Sequence, residues 1–483
     1  MAIDAAVIGL YLLLMLAAGW WGMRRARSSE DFLLAGRRLG PVLYAGTLSA
    51  VVLGGASTIG GVSLGYIHGI SGMWLVLMLG LGLITLSAVF ARKLSRMRVY
   101  TLPEMLERRY NASGRLISGL VMTAYDLMVA VTATLAIGTV VDVLLGVPRI
   151  PAILVGGGIV VIYSVLGGMW SLTMTDIAQF AIMTIGIFAV LLPLGLASAG
   201  GVDGLRAALP ESAFDPFALG GATITTYFLI YFFGIIIGQD IWQRVFTARE
   251  GLVATYAGVA AGVYCLLYAV AGAVIGMCAA ALYPGLVNPD TAFATIADGV
   301  LPVGIKGLVL AAALAAIMST ASACLLASST ILANDVYGRA VRGQDTVRSV
   351  GENRAWTLAC GLVMVALACL VQDVVAALTV AYNLLVGALL VPVIGALLWR
   401  RGTATGALSA MCVGSVVVIT LMVTQGLLAN EPIYYGLASS AVIFVVVSLL
   451  TRTTDPGQLA AWDRRLRGER EVEPSSSADA SAT

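Results

Sequence analysis

The chain has 483 residues, 59% of them hydrophobic and 11% charged, with a mean hydropathy of +0.95. That composition excludes a soluble globular domain and describes a polytopic membrane protein. A net charge of +2 offers no basic surface for nucleic acid, and the six cysteines lie in apolar stretches without CxxC spacing. They read as buried free thiols, neither a disulfide framework nor a zinc site.

A bilayer crossing needs roughly 20 apolar residues. About 13 such segments follow one another, at 2–23, 42–70, 72–91, 114–145, 150–168, 174–198, 221–239, 252–283, 303–335, 354–372, 375–399, 404–426 and 433–452. The first carries its charges (Arg24, Arg25, Arg27) after the apolar core, so it reads as a retained helix and not as a cleaved signal. The second, VLYAGTLSAVVLGGASTIGGVSLGYIHGI, is apolar enough to cross yet rich in glycine and small hydroxyl residues. Irregular backbone at membrane depth survives only beside a cavity or protein, and a glycine-interrupted span is a pointer to a transporter's binding site. Gly54 to Gly61 is therefore read as an unwound turn with carbonyls free to hold a cation; close helix packing is the competing reading.

Residues 92–113 read as an amphipathic cytoplasmic piece, and 199–220 and 284–302 as external connections. The tail, 453–483, is polar and expected to be disordered and cytoplasmic. With the N-terminus outside, all of the 28 Lys and Arg except Arg149, Arg206 and Lys306 fall on the cytoplasmic side, which sets the orientation as N-out and C-in. Leaving out segment 2–23, the next ten form two sets of five, 42–198 and 221–399. The glycine-broken 42–70 then matches 221–239, which carries Gly234 and Gly238. Paired interruptions of this kind mark an inverted repeat. The expected architecture is one all-α transmembrane domain, 1–452, with extra helices at 2–23 and 404–452.

Four motifs occur in order: YSVLGGMWSLTMTDIAQ at 163–179, Gln239-x-x-x-Gln243-Arg244, GIKGLVLAAALAAIMSTASACLLASSTILANDVY at 304–337, and Trp399-Arg-Arg-Gly-Thr-x-x-Gly-Ala at 399–407. Together they resemble the sodium:solute symporter family across residues 5–450. The resemblance implies a five-plus-five inverted-repeat transporter that couples sodium to uptake of a small organic solute, with Na+ as the ion. It also implies a sodium site made of the carbonyls of Ala56, Ile59 and Ala316 with the side chains of Ser319 and Thr320. Residues 316, 319 and 320 share one helix face by spacing alone. In some relatives an acid matching Asp176 forms a second cation site with hydroxyls on the Met-Ser-Thr helix. Here Ser322 is present, but Ala323 stands where a further serine is expected, which argues against a second sodium.

Asp126 lies eleven residues beyond Arg115, about 16 Å along a helix and so near the middle of a ~30 Å core. An ionisable group there marks function by default. Three roles compete for it: internal structural partner, counter-charge for an amine-bearing solute, or proton carrier. Other candidate solute contacts are Ser57, Thr58 and Ser63 on the first broken helix, Tyr231 and Phe233 on the second, and Tyr382 and Asn383. With no membrane arginine on the Asp126 helix and few amides in view, a compact amino acid, amine or small carboxylate fits better than a sugar or strong acid. A proton-coupled symporter using Asp126 and a transporter-like membrane sensor are the rival readings. With one histidine and no activated nucleophile in view, an enzyme is not expected.

Overall fold

The computed structural model describes residues 2–341, 349–371 and 374–467. Among these residues there are helices, turns and a single isolated bridge, between Leu39 and Ala248, but no strand. Ten helical runs are long and apolar enough to cross a bilayer, and the bent pair Gly221–Ile237 and Gln239–Val245 makes an eleventh. Two runs, Ala56–Arg96 and Arg149–Ser198, each hold two of the segments read from the sequence. Gly69 (φ 62°) and Gly168 (φ 52°) divide them near the expected loops. Exposed side chains on these helices are large and apolar, among them Leu10, Leu13, Val416, Val423 and Leu449. Such a surface suits lipid and not water.

Helix Ile305–Ile331 is the axis of the bundle, and every residue from Val309 to Ile331 is buried. Its run of Ala and Ser lets neighbouring backbones approach closely, which is how helices pack where no hydrophobic force separates them from lipid. It packs against Ala2–Arg25, Ala112–Leu145 and the Arg149–Thr184 run. The first helix is thus part of the bundle: Ser171 donates to the Gly19 carbonyl at 2.9 Å. At Gly22 a Cβ would come within 2.4 Å of the Ser171 Oγ.

The Gly-Gly pair of the first motif has a local cause. Gly168 turns the chain with φ 52° and ψ −137°, a combination essentially confined to glycine. A Cβ there would sit 2.3 Å from the Phe32 carbonyl oxygen. Gly168→Ala is expected to destabilise the protein by at least the ~1–3 kcal/mol of backbone strain. The measurement is the thermal unfolding midpoint in detergent, and an unchanged midpoint would refute this account of the turn.

The helix ends around Leu102–Arg109 are pinned by charge. Thr101 caps helix Leu102–Arg109 by accepting from the Glu104 amide. Asp335 of the Asn-Asp-aromatic motif accepts from Thr101 at 3.0 Å and pairs with Arg115 at 2.6 Å. Glu107 pairs with both Arg115 and Arg339. Arg109 is buried and donates to the carbonyls of Trp399, Arg400 and Gly402 at 3.0–3.3 Å. The Trp-Arg-Arg-Gly turn is therefore a socket for a guanidinium.

The tail differs from the sequence reading in its first part. Pro456–Arg467 is a helix with Trp462 buried, its indole donating to the Ala396 carbonyl at 3.1 Å. Asp463 pairs with Arg400, and Gln458 donates to the Arg109 and Tyr110 carbonyls. An apolar face of Leu459, Trp462 and Leu466 inside a polar stretch accounts for the docking. Residues 468–483, the rest of the expected disordered tail, lie outside the described residues. All six cysteines are free; Cys412 is exposed and Cys369 half-buried, so two of the six are not in the interior.

Candidate functional site

The first broken helix parts at Leu53, whose φ of −92° and ψ of 56° end helix Pro41–Val52. The chain then re-forms as a π-turn, Ala56–Gly60, and a helix, Gly61–His68. The unwinding is thus shorter and earlier than the expected Gly54–Gly61. Gly54 and Gly55 do not adopt positive φ; they are needed for contact. A Cβ on Gly54 would lie 2.3 Å from the Thr320 Oγ1, and one on Gly55 2.8 Å from the Ala136 Cβ.

A break frees the carbonyls that precede it, here Ala50 to Leu53, and each faces a hydroxyl. Ser319 donates to the Ala50 carbonyl at 2.7 Å and Thr320 to Val51 at 2.6 Å. Ser57 donates to Val52 at 2.8 Å, and Thr58 reaches Leu53 at 3.5 Å and the Tyr268 hydroxyl at 2.9 Å. Ser319 also lies 2.8 Å from the Ala316 carbonyl. The hydroxyls of Ser319 and Thr320 and the carbonyls of Ala50, Val51 and Ala316 thus converge, with more lone pairs than hydrogens. The structure brings Ala316, Ser319 and Thr320 to the break. Their partners across it are Ala50 and Val51, not Ala56 and Ile59, which come after the break in the π-turn.

The second broken helix bends by 42° between Gly221–Ile237 and Gln239–Val245. Gly238 is extended (φ −66°, ψ 130°). The Gln-x-x-x-Gln-Arg motif anchors the short helix beyond the bend. The Gln239 side chain bridges the Tyr100 carbonyl and the Leu102 amide, and Gln243 donates to Leu33 and Thr330. Arg244, fully buried, pairs with Asp176 at 3.0 Å; Asp176 also accepts from Thr47. Asp176 therefore sits inside the helix after Gly168, neutralised by an arginine, and Ser322 donates back to the Ser319 carbonyl. Each thus has a protein partner in place of the second cation site that the resemblance raised.

Between the two breaks lies a narrow cavity of about 30 Å³, lined in part by Ser57, Thr132, Asp240, Thr320 and Tyr382. Tyr382 packs edge-on to Tyr125 at 5.1 Å and to Tyr231 at 5.3 Å. A Cβ on Gly234 would lie 2.2 Å from the Tyr382 ring, which explains that glycine. Tyr231 meets Thr379 at 3.3 Å. Phe233 packs with Phe228 and Phe232 and does not line the cavity; nor do the buried Ser63 and Asn383. Asp126 is fully buried one turn from Val129, which does line it. Sequence reasoning passed over Asp240, the one acid in the lining. Its signal was a carboxylate one residue beyond the apolar span 221–239, whereas Asp126 lies near the middle of its own.

The model of the sodium:solute symporter family matches residues 32–414. The chain belongs to this family. Its members are transporters and not enzymes, and this one is a multi-pass membrane protein. Among similar proteins of the family is a sodium/proline symporter of Staphylococcus aureus (strain JH9), 26% identical over 95% of this chain and 94% of that protein. The fold is shared with a Na+-coupled sialic acid symporter solved in a substrate-bound outward-open state. That likeness has a TM-score of 0.82 at 18% identity, over 94% of this chain and 98% of that one. The nucleobase-cation-symport-1 family transporter Mhp1, in a closed conformation, gives a TM-score of 0.59 at 16% identity, over 92% and 99%.

Proposed function

We propose that this protein is a sodium-driven symporter of the plasma membrane that imports a small organic solute by alternating access. The solute belongs to the amino acid, amine or small carboxylate class and sits between the two breaks. Sodium is held by the carbonyls of Ala50, Val51 and Ala316 and the side chains of Ser319 and Thr320. The observation that carries this reading is the convergence of those oxygens across a helix break, because neutral oxygens can replace the hydration shell of a monovalent cation. The relatives named as sodium-coupled support the choice of ion.

One sodium entering down 100 mV releases about 2.3 kcal/mol, and a tenfold gradient adds about 1.4. Together these limit accumulation of a neutral solute to several hundredfold per sodium. Purified protein in proteoliposomes is expected to accumulate its solute with an inward sodium gradient, and not when potassium replaces sodium. A screen of labelled amino acids, amines and carboxylates under the two gradients identifies the solute. Equal accumulation with potassium would refute sodium coupling.

A further inference from the structure

Among the described residues, neither of two buried carboxylates near the second break, Asp126 and Asp240, forms a direct ion pair. Asp126 is fully buried, and neither of its oxygens has a hydrogen bond of ordinary geometry. The group it faces is Asp240, which acts on it both by its charge and through its backbone amide. Asp240 is itself buried and lines the cavity. Its carboxylate meets the Tyr125 hydroxyl at 3.5 Å, the Cys324 thiol at 3.7 Å and the backbone amide of Ile241. Arg244 acts on Asp240 by its charge, but its side chain is bound to Asp176 and its contact with Asp240 is to the backbone carbonyl, 3.4 Å away. Two carboxyls side by side in low dielectric either retain a proton or have a cation beside them. Tyr125, whose hydroxyl reaches Asp240, packs edge-on to Tyr382 of the cavity lining, which puts aromatic groups of the kind that attract organic cations close by.

We propose that Asp126 and Asp240 together bind a positively charged nitrogen, so that the solute of the cavity is a small organic amine carrying net positive charge. The inference rests on the transport reading above and narrows its solute class. Among the described residues, no cationic side chain lines the cavity. A free carboxylate solute would meet two acids and no base. A protonated amine supplies the missing charge and, if primary, hydrogens enough for both carboxylates.

The test uses the full-length protein in detergent and its thermal unfolding midpoint in sodium and in potassium buffer. The probes are methylamine, butylamine, 1,4-diaminobutane and choline, compared with proline and propionate. At least one amine is expected to raise the midpoint by several degrees, while proline and propionate leave it unchanged. Asp126→Asn and Asp240→Asn should each remove the amine response. Both should keep any shift that sodium produces, and neither should unfold at a lower temperature than the parent without amine, since each has one buried charge fewer. If an Asn variant does not fold, Asp240→Glu, which keeps the charge but moves it by a methylene, should weaken the amine response at least tenfold. The proposal is overturned if no amine raises the midpoint, if only proline or propionate does, or if the amine response survives both Asn substitutions. It is also overturned if Asp126→Asn removes the sodium shift, which would make the pair an ion site. A parent that shows no sodium shift would instead count against the sodium reading, and the amine comparison would decide this proposal in potassium buffer.

Discussion

Replacing Ser319 and Thr320 together by alanine is expected to lower apparent sodium affinity by a hundredfold or more while the protein still inserts. Each hydroxyl faces a carbonyl freed by the break, at 2.7 and 2.6 Å. A polar contact to a charged group contributes about 1.5–3 kcal/mol, and about 1.4 kcal/mol is tenfold in affinity. Two lost ligands therefore reach a hundredfold at the low end. The same substitutions leave the Ala50 and Val51 carbonyls without their donors, so stability without sodium should fall by about 1–3 kcal/mol per carbonyl. The two effects separate the roles. Uptake measured against sodium concentration reports ligation, and unfolding in sodium-free buffer reports capping. A double variant that unfolds earlier but keeps its sodium dependence would show that the hydroxyls only close the break.

The second large effect is at Arg244. Its guanidinium and the Asp176 carboxylate are both fully buried and 3.0 Å apart. Removing one partner of a buried pair costs about 3–5 kcal/mol, because the other charge is left uncompensated. Arg244→Gln is expected to unfold at a markedly lower temperature, and Asp176→Asn likewise. The double variant, which buries no charge here, should recover most of the loss. If it is no more stable than either single variant, the two groups are not closed on each other.

Much of the fold was legible in the sequence, because length and hydropathy are the strongest constraints in lipid. The apolar segments map in order onto the helical runs. Gly168 and the Trp-Arg-Arg-Gly turn were visible as motifs, although their physical causes, the Phe32 carbonyl and the Arg109 guanidinium, are contacts with distant segments. The site was legible in its residue types and less so in its register. Gly54 and Gly55 suggested unwinding at and after themselves, but they serve to let Thr320 and Ala136 approach. The break falls at Leu53 and frees carbonyls upstream, so the hydroxyls of Ser319 and Thr320 meet Ala50 and Val51, whereas the resemblance pointed to Ala56 and Ile59. Asp240 was overlooked because it lies one residue past the end of a predicted span, between the Gln and Arg that drew attention as a motif. The short helix at Pro456–Arg467 was hidden by its charged neighbours, since only Leu459, Trp462 and Leu466 declare an inner face.

The bond from Arg244 to Asp176, with Thr47 on the same carboxylate, joins three separate pieces of chain. They are the near half of the first broken helix, the helix after Gly168 and the short Gln239–Val245 helix. While that clasp holds, movement of any one of the three carries the other two, and the chain leaves helical geometry close by, at Leu53 and Gly238. Probes placed on Pro41–Val52 and Gln239–Val245 would then keep a constant separation through a transport cycle, while each changes its distance to the far half of its own helix.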